Sequence, residues 1–379
     1  MPYGKTPLSH DEVAIFKNWI NSGAPDKNGF VKFSDNPARK KYYITNQGCD
    51  VVTVVDAESQ LPMRYVNVGT AGSGEAPHMV RVSADGNYWY VLSLAGNYLE
   101  KYRTSDDKLE AKAFIGSGYW NAFIISSDSH TAYCTSMTGT GKIAIVNLVA
   151  MTADSLLPFN YPHGVALNNN NDTLYATEQI ASSYIYKIPL ADFSSISQID
   201  LYDGAIPGAP LNAHEVAFTP DGTKYFVTCQ GDNSVKVYQA GTDALLTSIP
   251  VGASPTEMIF SASTNYLFVS CTEDVINFPG KRGSVAVIDY TTNSFVKYLY
   301  TGWQPHGINV DDAKKLVIVV NRNFASDGPA PHHSGECGGR NGYVTFIDLN
   351  TLEMVPNYYS NSTKKMEISV DPYSVGIRK

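Results

Sequence analysis

Four histidines recur in one local setting: His78 in APHMVRVS, His163 in YPHGVALN, His214 in NAHEVAFT and His306 in QPHGINVD. Two more, His332 and His333, stand side by side in RNFASDGPAPHHSGECGGRN (322–341), with Glu336 and Cys337 close behind. Imidazole and thiolate are the ligands of copper, zinc and iron, so a fold that gathered these side chains would build a transition-metal centre. The expected metal ligands are His78, His163, His214, His306, His332, His333 and Cys337, with His163, His214 and His306 as first choices. Copper or another transition metal is the expected cofactor, and redox chemistry the implied class. A plainer reading competes: a repeat copies its consensus, Pro and Gly shape a strand entrance, and His hydrogen-bonds a neighbouring repeat. No Ser-His-Asp order, phosphate-cradling glycine loop or calcium-loop spacing is present, and no Cys is followed by C-x-x-C-H spacing, so these residues cannot attach a c-type haem by themselves.

The histidines are held by a repeat. Phrases equivalent to the four above occur at SPTEMIFS (254–261), DPYSVGIR (371–378) and, more weakly, YWNAFIIS (119–126). The marker positions 78, 121, 163, 214, 256, 306 and 373 are 43, 42, 51, 42, 50 and 67 residues apart. A base period near 42 falls in the ~40–50 residues of a four-stranded propeller blade. A second phrase follows each of the first six after a short turn: YVLS, YCTS, YATE, FVTC, FVSC and IVVN, with a seventh, YITN (43–46), ahead of them all. Third and fourth strands complete each unit, as in NSVKVYQA (233–240) and LTSIPVG (246–252). Alternating apolar residues bounded by turn residues are strands, and one such sheet cannot cover both its faces. The predicted fold is therefore all-β: a seven-bladed β-propeller of four-stranded antiparallel blades. The chain enters with strands two to four of a blade at 41–69 and ends on a lone first strand at 371–378, so the last segment is expected to close the first blade in a 3+1 arrangement that leaves no open edge.

YITN with its partners and the PHG-type lead strand resemble the YVTN-repeat β-propellers, a group similar to the haem-d1 domain of cytochrome cd1 and to the propeller domain of nitrous oxide reductase. The resemblance covers about residues 38–379 and is specific for fold rather than for chemistry. It implies that innermost strands start, and second strands end, at one rim. His78, His163, His214 and His306 would then ring one mouth of the central channel, with Asn46, Glu178, Cys229, Cys271 and Asn321 arriving at the same rim. The long loops 272–283 and 322–341 belong there too, the second as a lid. Cys49 and Cys337 would lie on loops of adjacent blades at that rim, where an oxidising compartment would let them form a disulfide in place of a thiolate ligand.

Residues 1–37 stand outside the ring. Ser9 and Glu12 have capping-box spacing, Val13, Phe16, Trp19 and Ile20 share a helical face, and Gly23 with Pro25 ends the run, so a helix over about 10–22 is expected. MPYGKTPLSHDEVAIFKNWINSGA resembles the C-terminal end of a small c-type cytochrome domain, in which the methionine of Met-Pro is an axial haem ligand. That resemblance makes Met1 the cofactor-binding residue and haem c the cofactor if a haem-attachment half lies upstream; otherwise Met1 is an initiator.

Twenty-five tyrosines, a charged fraction of 17 % and a formal charge of −8 suit an exported strand-rich protein and leave no basic face for a nucleic acid. No run of eighteen apolar residues spans a bilayer, and the N-terminus lacks a signal-peptide pattern. The expected setting is the periplasm or the cell surface, beside or fused to a c-type cytochrome or with a surface protein as partner. The alternative is a non-catalytic scaffold that binds protein or glycan on its broad top face.

Overall fold

The protein was analysed as a computed structural model that describes residues 6–70, 73–202, 209–332, 337–356 and 362–379. The chain divides into two compact units, 1–39 and 40–379. In the first, the helix His10–Asn21 begins on the expected capping box: the Ser9 Oγ accepts the Glu12 N–H, and the Glu12 carboxylate accepts the Ser9 N–H at 2.8 Å. Trp19 Nε1 donates to the Pro25 carbonyl at 2.8 Å, which folds the segment after Gly23 back along the helix end.

The second unit is the predicted seven-bladed β-propeller. Seven antiparallel sheets form, and the first pairs Lys41–Asn46 with the far C-terminal strand Pro372–Arg378, which is the 3+1 closure. The innermost strands of blades 2 to 7 are Pro77–Val82, Trp120–Ile125, Pro162–Leu167, Ala213–Phe218, Pro255–Phe260 and Pro305–Asp311. In blade 7 the outer edge is shared by two segments, Glu353–Met354 and Lys365–Val370, both paired to Asn341–Asp348. Apolar side chains of facing blades interleave: Phe226, Val235 and Val237 of blade 5 pack with Met258, Leu267 and Val269 of blade 6. This is how sheets that are buried on both faces satisfy their hydrophobic surface.

The recurring phrases have a structural reason that spacing alone did not expose. The threonine in the second phrase bridges blades: Thr45, Thr135, Thr177 and Thr228 donate to the carbonyls of His78, His163, His214 and Thr256, at 3.0, 2.6, 3.2 and 3.0 Å. Three of these hydroxyls also accept an N–H at the bulge of their own blade, from Ser374, Gly164 and Glu215. Each such group sits in the dry core, where an unmade hydrogen bond is costly. The terminal asparagine works inside its blade: Asn46 Nδ2 binds the Ile44 and Val51 carbonyls and Thr53 Oγ1, and Asn321 repeats the pattern with Val319, Tyr343 and Thr345. The glycine of PHG is a matter of clearance. A Cβ at Gly164 would lie 2.3 Å from the His214 oxygen, and one at Gly307 2.4 Å from the Tyr373 oxygen.

Cys49 and Cys337 form a disulfide joining blade 1 to the long loop of blade 7 across 288 residues of sequence. Because it ties the two blades between which the ring closes, the bond restrains the unfolded chain strongly. Reduction, or Cys337→Ser, is expected to lower stability by about 2–4 kcal/mol, read as a shift in the urea midpoint with and without reductant; coincident curves would refute it.

Candidate functional site

Each innermost strand enters the channel through the same kink. The residue before the marker pair has a left-handed backbone in six blades, at Ala76, Tyr161, Asn212, Ser254, Gln304 and Asp371, and a β-bulge follows at the marker. A bulge re-aims side chains, and here it turns the marker residues toward the axis. His78, His163, His214 and His306 accordingly meet, all at least nine-tenths buried, around a cavity of about 280 Å3. The ring centroids of His163 and His214 are 4.2 Å apart, those of His214 and His306 5.7 Å. Tyr373, the marker of blade 1, fills the gap, 4.0 Å from His78 and 3.7 Å from His306. Arg322 lies over Tyr373 at 4.7 Å, held by a two-pronged pair with Asp371 at 2.7 and 2.9 Å.

The imidazoles differ in what they bind. The Gln47 amide lies 2.5 Å from His78 Nδ1, and His163 Nδ1 is 3.0 Å from the His214 carbonyl of the next blade. The plainer reading of the repeat therefore holds for His163. Among the described residues His214 Nδ1 has no hydrogen-bond partner, whereas the His306 ring faces the Tyr373 carbonyl of the next blade and its Nδ1 stands 3.7 Å from Glu257 Oε1. Burial pushes all four pKa values down, that of His163 to about 4; neighbouring imidazoles push His78 and His214 further down, and Arg322 followed by His163 does so for His306. They are neutral at physiological pH, and neutral imidazole is the form that binds metals.

Donor type thus fits a transition metal, whereas donor number does not close a coordination shell. Among the described residues no three His, Cys, Asp or Glu side chains converge on a point a metal ion could occupy. His332 is exposed and placed apart from the cavity, its N–H donating to Glu367 at 2.8 Å. Cys337 spends its sulfur on the disulfide and has no thiolate to offer, which corrects its place among the expected ligands. Met1 and His333 lie outside the described residues. Cys229 and Cys271 are fully buried, their thiols turned to the Val227 and Val269 carbonyls, and burial lifts Cys271 to about 12. Glu178 binds Tyr186 and Asn160 rather than facing the channel.

Beneath the imidazoles lies a second chamber of about 390 Å3 that opens among the turns at Ser127, Asn169 and Pro220, the rim opposite the histidine mouth. Arg81, Glu215 and Glu257 project into it from apolar walls. Sequence reasoning passed over all three. Their signal was available: in NAHEVAFT and SPTEMIFS a glutamate stands where PHG has glycine, in two successive blades.

No family model matches the chain. The curated protein Antigen Lp49 of Leptospira interrogans is 26 % identical over 326 residues, covering 83 % of this chain and 68 % of the antigen. Solved structures share the fold at low identity. Hydrazine synthase of Kuenenia stuttgartiensis superposes with a TM-score of 0.63 at 14 % identity, over 82 % of this chain and 91 % of that one. The dihydro-haem d1 dehydrogenase NirN, solved in complex with DHE, gives 0.59 at 14 % identity, over 91 % and 76 %. A functionally unknown protein from Desulfotomaculum acetoxidans gives 0.62 at 13 % identity, over 87 % and 99 %. In fold the protein is a seven-bladed β-propeller whose mouth is lined by histidine.

Proposed function

We propose that this is an exported propeller of the YVTN-repeat type whose mouth takes up a transition-metal ion through His214 and His306, the remaining coordination positions being filled by a small molecule. The observation that carries the reading is His214, a buried, neutral imidazole whose Nδ1 no described protein group satisfies, with the neutral His306 ring 5.7 Å away, since such an atom calls for an occupant. The cavity suits a small ligand, being at the lower limit of the ~300–1,000 Å3 typical of organic cofactor pockets. A redox setting beside a c-type cytochrome is supported by the cytochrome-like N-terminal segment and by a fold neighbour that is itself a dihydro-haem d1 dehydrogenase. Export is supported by the Cys49–Cys337 disulfide and by the likeness to an antigen; no helix among the described residues is long and apolar enough to cross a membrane.

Docking of a protein partner on the same face has its own support. The loops 272–283 and 322–341 are linked by Arg282 and Asp327 at 3.3 Å and hold out Val275, Ile276 and Phe324, which are 57, 79 and 64 % exposed. Titration of chelator-free protein with Cu(II) and Zn(II), followed by calorimetry and elemental analysis, separates the two. The metal reading expects one equivalent bound, and at least a ~100-fold weaker site in His214→Ala/His306→Ala at unchanged circular dichroism. Absence of stoichiometric metal in the parent protein defeats it and leaves the docking face.

A further inference from the structure

We propose that the lower chamber is a second ligand site, entered from the opposite face, that binds a small zwitterion: an ammonium group held by Glu215 and Glu257, a carboxylate held by Arg81, and an apolar body against the channel wall. The two carboxylates come from adjacent blades, 5 and 6, and Arg81 from blade 2. Among the described residues no ion pair within 4.0 Å joins Arg81 to either glutamate, and the hydrogen bond of its guanidinium runs from Nε to the Phe123 carbonyl at 3.1 Å. A guanidinium and two carboxyl groups therefore share one space without pairing by contact, and burying such groups is costly unless something bridges them.

Three further observations favour an occupant. Glu215 is 7 % exposed, and the partner of its carboxylate among the described residues is the backbone N–H of Val216 beside it rather than a charged side chain. The contacts of Glu257 among the described residues are long, the Ile308 N–H at 3.4 Å and His306 Nδ1 at 3.7 Å. Room has also been kept: Ala166 and Ala217 occupy in blades 4 and 5 the position that Arg81 takes in blade 2, and both line the chamber. Ile124, Ile125, Leu167, Ile259 and Val375 give the chamber an apolar wall beside polar residues such as Asn168, Asn169 and Thr219, a lining that suits a ligand with both an apolar body and polar ends. Burial, and for Glu257 the nearby Glu215, raises the carboxyls to about 7 and about 8, against the opposing pull of Arg81.

Calorimetric titration of the full chain at pH 8.5 with alanine, leucine and phenylalanine tests the site, followed by the amine and the carboxylic acid that each lack one charged group of the best binder. The expectation is saturable binding of at least one amino acid, with both single-charge analogues about 10-fold weaker or more. Arg81→Met should remove the advantage over the amine, and Glu215→Gln/Glu257→Gln the advantage over the acid, while His214→Ala/His306→Ala should retain most of the affinity. No saturable heat with any of the three, analogues as tight as the amino acid, or folded variants of unchanged affinity would each overturn the proposal. If the variants fail to fold, the analogue series on the parent protein decides alone.

Discussion

Stability should peak near pH 6.5 and fall by roughly 3 kcal/mol per pH unit between pH 6 and pH 5. His78, His163, His214 and His306 have folded pKa values depressed below their unfolded value of 6.5, His163 to about 4. Their contribution is complete above pH 6.5 and is lost as the pH falls toward the folded values, because the unfolded chain takes up four protons that the native mouth refuses. Glu215 and Glu257 act the other way. With folded values of about 7 and about 8 against 4.5 unfolded, they bind protons that the unfolded chain has released, and that contribution is lost as the pH rises through 7 to 8. Between pH 6 and 5 the net difference is two protons, four less two, at about 1.4 kcal/mol per proton and pH unit. Above pH 6.5 only the glutamates act, so stability declines again to about pH 8. Urea midpoints from pH 4.5 to 9 give the profile directly. A plateau from pH 5 to 8 would mean that the imidazoles are open to protons in the native state.

Asp107→Ala should cost about 3–5 kcal/mol, as breaking a buried ion pair does. Lys41, 2 % exposed, donates to Asp107 at 2.8 Å and to the Thr104 carbonyl at 2.7 Å, and the Tyr43 hydroxyl donates to the same carboxylate at 3.1 Å. The cluster fastens blade 1 to blade 2, and burial already lowers the Lys41 pKa. Deleting the carboxylate strands an ammonium and a phenol in the core. Lys41→Met/Asp107→Leu removes both charges and should recover most of the loss. Denaturant unfolding of the two variants distinguishes the cases; a single variant within 1 kcal/mol of the parent would show that water reaches the cluster.

Blade number and closure were legible because the period is carried by many residues at once. Seven markers, seven second strands and an orphan strand at 371–378 agree on one register. Convergence of His78, His163, His214 and His306 was legible for the same reason, since equivalent positions of a ring share a height. The roles inside the phrases were not. Thr45 and Thr177 look like ordinary strand residues until the next blade's carbonyl is in place, and Gly164 looks like a turn residue until the clearance to His214 is known. Cys229 and Cys271 end the correct strands but point between sheets rather than along the axis. Glu215, Glu257 and Arg81 escaped notice because attention went to what the repeat conserves within itself, whereas they are departures from it.

The strand Pro372–Arg378 pairs with Lys41–Asn46, so the inner wall of the first blade is supplied by the segment translated after every other strand of the ring. While a ribosome still holds that segment, the nascent sheet at 41–69 has an uncovered inner edge open to pairing with a foreign chain. Closure of the ring therefore waits on that strand, and removing residues 372–379 should produce a species that oligomerises through this edge instead of a slightly weakened monomer.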